Sequence, residues 1–67
     1  MITVFPNPAI DVLYITGATG VVSIYNNNGR LEKTQSLEYI TGIDISSLSN
    51  GMHVLVVDGK SFKIMKQ

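Results

Sequence analysis

His53, Ser46, Ser47 and the carboxylates Asp11, Glu32, Glu38, Asp44 and Asp58 are the side chains of this 67-residue chain with the most reactive chemistry to offer. A serine, a histidine and an aspartate are the parts of a nucleophilic hydrolase, in which the imidazole takes the hydroxyl proton and the carboxylate orients the ring. Ser46 and Ser47, however, stand between Ile45 and Leu48 just before Ser49-Asn50-Gly51, where serine hydroxyls bond nearby backbone and turn the chain. A metal centre wants several histidines, cysteines or closely spaced carboxylates. With one histidine, no cysteine and scattered acids, the chain reaches no ligand spacing. His53 therefore reads as a packing residue, and the expectation is a protein that is not an enzyme and holds neither metal nor cofactor. Tyr14, Tyr25 and Tyr39 would line a sugar- or peptide-binding face if aligned, but tyrosines of a small sandwich commonly cover a sheet with the hydroxyl at the rim. Asn26-Asn27-Asn28-Gly29 would suit a carbohydrate-contacting loop, although the plain role of an Asn-Gly pair is to turn the chain.

Five basic and five acidic residues give a formal net charge of zero, which supplies no field to hold a phosphate backbone and argues against nucleic acid as a partner. The longest apolar runs, such as Val54-Leu55-Val56-Val57, fall far short of the ~20 residues of a spanning helix, so no membrane insertion is expected. Met1 is followed at once by β-type sequence, without a basic n-region or apolar h-region. That start suits either a cytosolic protein or a piece of a longer one. Residues 1–67 read as one domain, small enough to bury only about 60% of the surface its unfolded chain exposes. No disulfide offsets that weakness, because there is no cysteine.

The elements that must position these residues are strands. Turn signals at Thr16-Gly17-Ala18-Thr19-Gly20, Asn26-Asn27-Asn28-Gly29, Gly42, Ser49-Asn50-Gly51 and Asp58-Gly59 recur about every 8 to 12 residues, the spacing of an all-β sandwich or barrel. Between them strands are predicted at Thr3-Phe5, Val12-Thr16, Val21-Tyr25, Arg30-Leu37, Gly42-Ile45, His53-Val57 and Ser61-Lys66. About seven antiparallel strands make a small immunoglobulin-like β-sandwich. Asp58-Gly59 predicts a two-residue hairpin turn with φ > 0 at both positions. Pairing Val57 with Lys60 then sets Leu55 against Phe62, Val54 against Lys63, His53 against Ile64 and Met52 against Met65. Leu55, Val57, Phe62 and Ile64 form the better core face, so His53 leans inward and Lys63 points out. Val22 with Ile24, and Ile43 with Ile45, supply the facing aliphatic positions.

The two ends of the sequence carry the strongest local constraints. Pro6 and Pro8 fix their own φ near −65°, remove two backbone donors and push Phe5 and Asn7 out of the helical region. The segment must run extended, yet it cannot be an interior strand. At the other end Ser61-Phe62-Lys63-Ile64-Met65-Lys66-Gln67 reads as a final strand with an exposed end, on which Lys63 and Lys66 are solvated. Exposed charges more than about 8 Å apart are largely screened at physiological salt, so the two lysines form a local cue and no steering field.

These segments resemble a known family. Val4-Phe5-Pro6-Asn7-Pro8-Ala9 followed by Asp11-Val12-Leu13, then Val22-Ser23-Ile24-Tyr25 leading to Gly29-Arg30, Ile43-Asp44-Ile45-Ser46-Ser47-Leu48, Asn50-Gly51-Met52-His53 and the basic end Phe62-Lys63-Ile64-Met65-Lys66-Gln67 occur in the order of the type A C-terminal sorting domain of Bacteroidetes cargo proteins exported by the type IX secretion system. Each piece is common alone, and the ordered set is specific. His53 stands where that family usually has tyrosine and Val56 where lysine or arginine is frequent. Both keep the strand, but no contact through a tyrosine hydroxyl carries over.

The resemblance implies an immunoglobulin-like sandwich at the C-terminus of a larger secreted protein, read at the outer membrane as an export signal. It further implies the type IX translocon and a sortase-like protease as partners, removal of the domain after export, and cargo released or attached at the cell surface. On this reading Pro6, Asn7 and Pro8 start the fold and Gly51 permits the turn before the penultimate strand. Lys63, Lys66 and Gln67 form the terminal cue on a strand open to strand addition, and open edges would also support a weak dimer. The alternative is an accessory carbohydrate- or protein-binding module of an extracellular enzyme, favoured if exposed aromatics lie in a row on one face.

Overall fold

Gly, Asn and Asp punctuate the chain because they turn it cheaply, and the β-branched runs between them become strands. The computed structural model describes residues 1–37 and 42–67, so Glu38 and Tyr39 lie outside the described residues. The strands are β1 (Thr3–Phe5), β2 (Val12–Thr16), β3 (Val21–Asn26), β4 (Leu31–Ser36), β5 (Gly42–Asp44), β6 (Gly51–Val57) and β7 (Lys60–Lys66). One antiparallel sheet has the order β1-β2-β5 and the other β4-β3-β6-β7, the two layers of the expected sandwich.

The last hairpin has the predicted register, from Val57↔Lys60 through Leu55↔Phe62 and His53↔Ile64 to Met52↔Met65. Asp58 (φ 51°) and Gly59 (φ 74°) both take the left-handed conformation, whose twist matches the flanking strands. β6 begins two residues before the predicted boundary, because pairing continues to Gly51↔Lys66. Gly51 sustains it with φ 122°, although a Cβ there would meet no atom within 4 Å. Backbone conformation, not space, is what demands glycine at this position.

Alternation then sorts the side chains by face. Leu13, Ile15 and Ile43 from the first sheet, with Ile45 just past its β5, meet Val22, Ile24, Leu55, Val57 and Ile64 of the second in one buried cluster, with Phe62 half-buried against it. Each such side chain contributes about 1.5–3 kcal/mol by leaving water. Beyond β5, Ser46 closes the turn by donating from its hydroxyl (2.6 Å) and its backbone N–H (2.9 Å) to Asp44 Oδ1.

Gly51→Ala is expected to lower stability by about 1–3 kcal/mol in urea unfolding, the strain of a side chain at that φ; an unchanged midpoint would show that the turn relaxes freely. The Ser46 bonds hold the Asp44 carboxyl below its ordinary value of 3.8. Its folded value being the lower one, the stabilisation is complete above the unfolded value and is lost as pH falls through the folded one. Stability measured from about pH 5 downward should therefore fall less steeply in Asp44→Asn than in the parent chain.

Candidate recognition site

Pro6 and Pro8 have no N–H, so the segment between β1 and β2 has little with which to join a sheet. Asn7, the residue between them, supplies what they lack. Its side-chain amide donates to Lys63 O (3.1 Å) and its Oδ1 accepts from Met65 N–H (2.9 Å), so the side chain stands in for a peptide group. Ala9 continues the contact with its backbone, donating to Met65 O and accepting from Gln67 N–H, both at 2.8 Å. The segment thus runs parallel to β7, with Ala9 beside Lys66.

The consequence is a covered edge. β7 is the outer strand of its sheet, and an outer strand left bare offers unpaired N–H and C=O groups to any other chain. From the Lys63 carbonyl to the Gln67 amide, those groups are already bonded to Asn7 and Ala9. This corrects the expectation of a final strand open along its end. The prolines stand where a sheet tolerates them, at its margin.

The two lysines are separated by the pleat. Lys63 is exposed and Lys66 is 7% exposed, on the same inward face as Ile64. The solvated pair expected from the sequence is therefore one solvated lysine and one buried one. A buried ammonium needs a partner, and Lys66 Nζ donates to Gln67 O at 3.0 Å. Pro6, Asn7, Pro8, Lys63, Lys66 and Gln67 come together at one edge, whereas Gly51 acts through its turn at the start of β6, opposite Lys66.

His53 is inward, as predicted, at 1% exposure. Opposite β3, the register passes from Ile24↔Lys33 to Tyr25↔Leu31, which leaves Glu32 as the extra residue of a bulge. Bulges re-aim side chains, and Glu32 Oε1 lies 2.8 Å from His53 Nε2. The approach is at ion-pair distance without the alignment of a hydrogen bond. His53 Nδ1 faces Gly51 O at 3.1 Å. Ser46 gives its hydroxyl to Asp44, and among the described residues no hydrogen bond joins His53 to Ser46 or Ser47.

Asn7 was legible only as a residue forced to be extended, and its pairing role was missed. The signal was its position as the one residue between two that lack donors. Ala9 carried no signal, and Glu32 none beyond its charge. The splitting of Lys63 from Lys66 follows from their odd spacing along a strand.

The family described as the secretion system C-terminal sorting domain matches residues 3–67. The chain belongs to that family. It is a type IX secretion sorting signal, recognised by that secretion machinery and directing export across the outer membrane to a secreted or cell-surface location. No curated protein and no solved structure matches it. In this sorting domain two of the segments that carry the family resemblance, Pro6-Asn7-Pro8 and β7, bond to each other.

Asn7→Ala removes two of the bonds on the β7 edge, and the expected loss is about 1–3 kcal/mol. Hydrogen exchange should show the Met65 amide deprotected selectively, ahead of the amides of β3. Equal protection of Met65 in variant and parent would mean that Asn7 does not hold the edge.

Proposed function

We propose that this domain is a non-enzymatic targeting module whose signal is the composite edge formed by Pro6-Asn7-Pro8-Ala9 and β7. The observation that carries this reading is the Asn7 clamp, which makes one folded feature from segments 56 and 58 residues apart in sequence. A machine reading that edge distinguishes a folded domain from a loose tail, because the edge exists only once the sandwich has formed. The prolines present the segment, Gly51 sets the start of β6, Lys63 and Gln67 are the exposed contacts, and Lys66 anchors the end of the strand from within.

The translocon would read this edge first, and a sortase-like protease would then remove the domain, with the cargo released or attached to the cell surface. Strand addition remains a mode of recognition if the partner displaces the Asn7 segment, which is held partly by a side chain and not by a full ladder. Fusion of residues 1–67 to a periplasmic reporter, in a bacterium that has the type IX system, should send the reporter outside the cell. Removing the last few residues should retain it in the periplasm, and Asn7→Ala should reduce export. Retention of the intact fusion would overturn the proposal.

One observation favours the alternative of an accessory binding module. Phe5 and Tyr14 pair across β1 and β2, stack with centroids 5.7 Å apart, and are both partly exposed on one face. Affinity for a polysaccharide that Tyr14→Ala abolishes would support it.

A further inference from the structure

A recess of about 230 Å³ is lined by Asn27, Met52, His53, Val54 and Lys63, of which Met52, Val54 and Lys63 lie on the outer face of the second sheet and His53 on the inward one. Val54 and Lys63 are directly paired across β6 and β7, so alternation sets them side by side on the outer face with Met52 next along β6. Met52 and Val54 make an apolar floor. Asn27 belongs to a turn held firmly by Asn26, whose Oδ1 accepts from the N–H groups of Asn28 and Arg30, both at 2.9 Å. The Asn27 side chain itself bonds to nothing among the described residues, and Lys63 has no carboxylate within ion-pair distance among them. Glu32, the nearby acid, is turned onto His53 Nε2 by the bulge.

An ammonium and an amide beside an apolar floor match an acid carried on an apolar stem. A glutamate side chain has that form: its methylenes would cover Met52 and Val54, and its carboxylate would meet Lys63 in a charge-assisted hydrogen bond with Asn27 beside it. We propose that this recess receives an acidic side chain from a peptide segment of the partner that reads the β7 edge. Lys63 joins the two surfaces, because its carbonyl is bonded to Asn7 while its side chain lines the recess. The partner's being a protein of the export machinery rests on the reading above. The recess is tested by binding alone, so a failure here leaves that reading standing and a failure of export leaves the recess standing.

The probe is the capped tripeptide Ac-Val-Glu-Val-NH2, titrated into the isotope-labelled chain and followed by amide chemical shifts, with Ac-Val-Gln-Val-NH2 as control. Saturable shifts at Asn27, Val54 and Lys63 are expected, with affinity about tenfold weaker for the glutamine peptide and for Lys63→Gln, the loss of one hydrogen bond to a charged group. Binding should also weaken at about 1 M salt, where the screening length falls to about 3 Å. Shifts elsewhere, equal affinity for the two peptides, or indifference to Lys63→Gln would overturn the inference. So would binding to anionic lipid vesicles at these same amides with no response to the glutamate peptide.

Discussion

Closure of the β7 edge is the constraint on which the rest of this sandwich depends. A two-sheet sandwich of 67 residues has bare margins relative to its core, and a bare outer strand is a template for unwanted pairing. The chain meets this by sending the segment after β1 across from the first sheet to lie against β7 of the second. Two prolines make that segment stiff and extended but poor in donors, and one asparagine amide restores the missing pair. Ala9, fully buried, then carries the chain back into the core. At the other margin the same need is met more lightly, where Gln35 of β4 donates from its side chain to the Gly42 carbonyl of β5 at 3.3 Å. Side-chain amides therefore join the sheets at both margins, and the apolar cluster joins them through the middle.

A second accommodation sits in the four-stranded sheet. His53 occupies a core position, and an imidazole enclosed in aliphatic side chains has two nitrogens to satisfy. Gly51 O serves one. The bulge at Glu32 brings a carboxylate to the other, from a strand that is not its neighbour, since β3 lies between β4 and β6. Gly51 has a double part, its φ opening the strand and its carbonyl fixing the ring.

If the composite edge is the signal, as proposed, the arrangement ties recognition to folding. Lys63, Gln67 and the proline segment are unremarkable alone, since surface lysines and proline turns occur widely. Held together by the clamp, they form a surface that no unfolded chain displays. On the proposed reading, a sorting signal with that property would report the folded state of its own domain to the secretion machinery. The neutral net charge fits such local reading, because short-range contacts and not a long-range field must bring the partner into register.

Strand number, strand positions, the hairpin register and the inward lean of His53 were all legible in the sequence, because they follow from local rules: alternation, φ > 0 at Asp58-Gly59, and proline's missing donor. The family was legible too, from ordered motifs along the chain. What local rules could not reach were contacts between distant segments. Nothing near Asn7 indicates that Lys63 and Met65 are its partners, nothing near Glu32 that it turns to His53, and nothing at the end of β7 that Asn7 and Ala9 cover its edge. The sequence by itself determined which residues lie in strands and which face they take, since those depend on neighbours one or two positions away. Only the tertiary structure decided that the proline segment and the final strand are bonded along one edge, because pairing across more than fifty residues depends on how two sheets pack around a shared core.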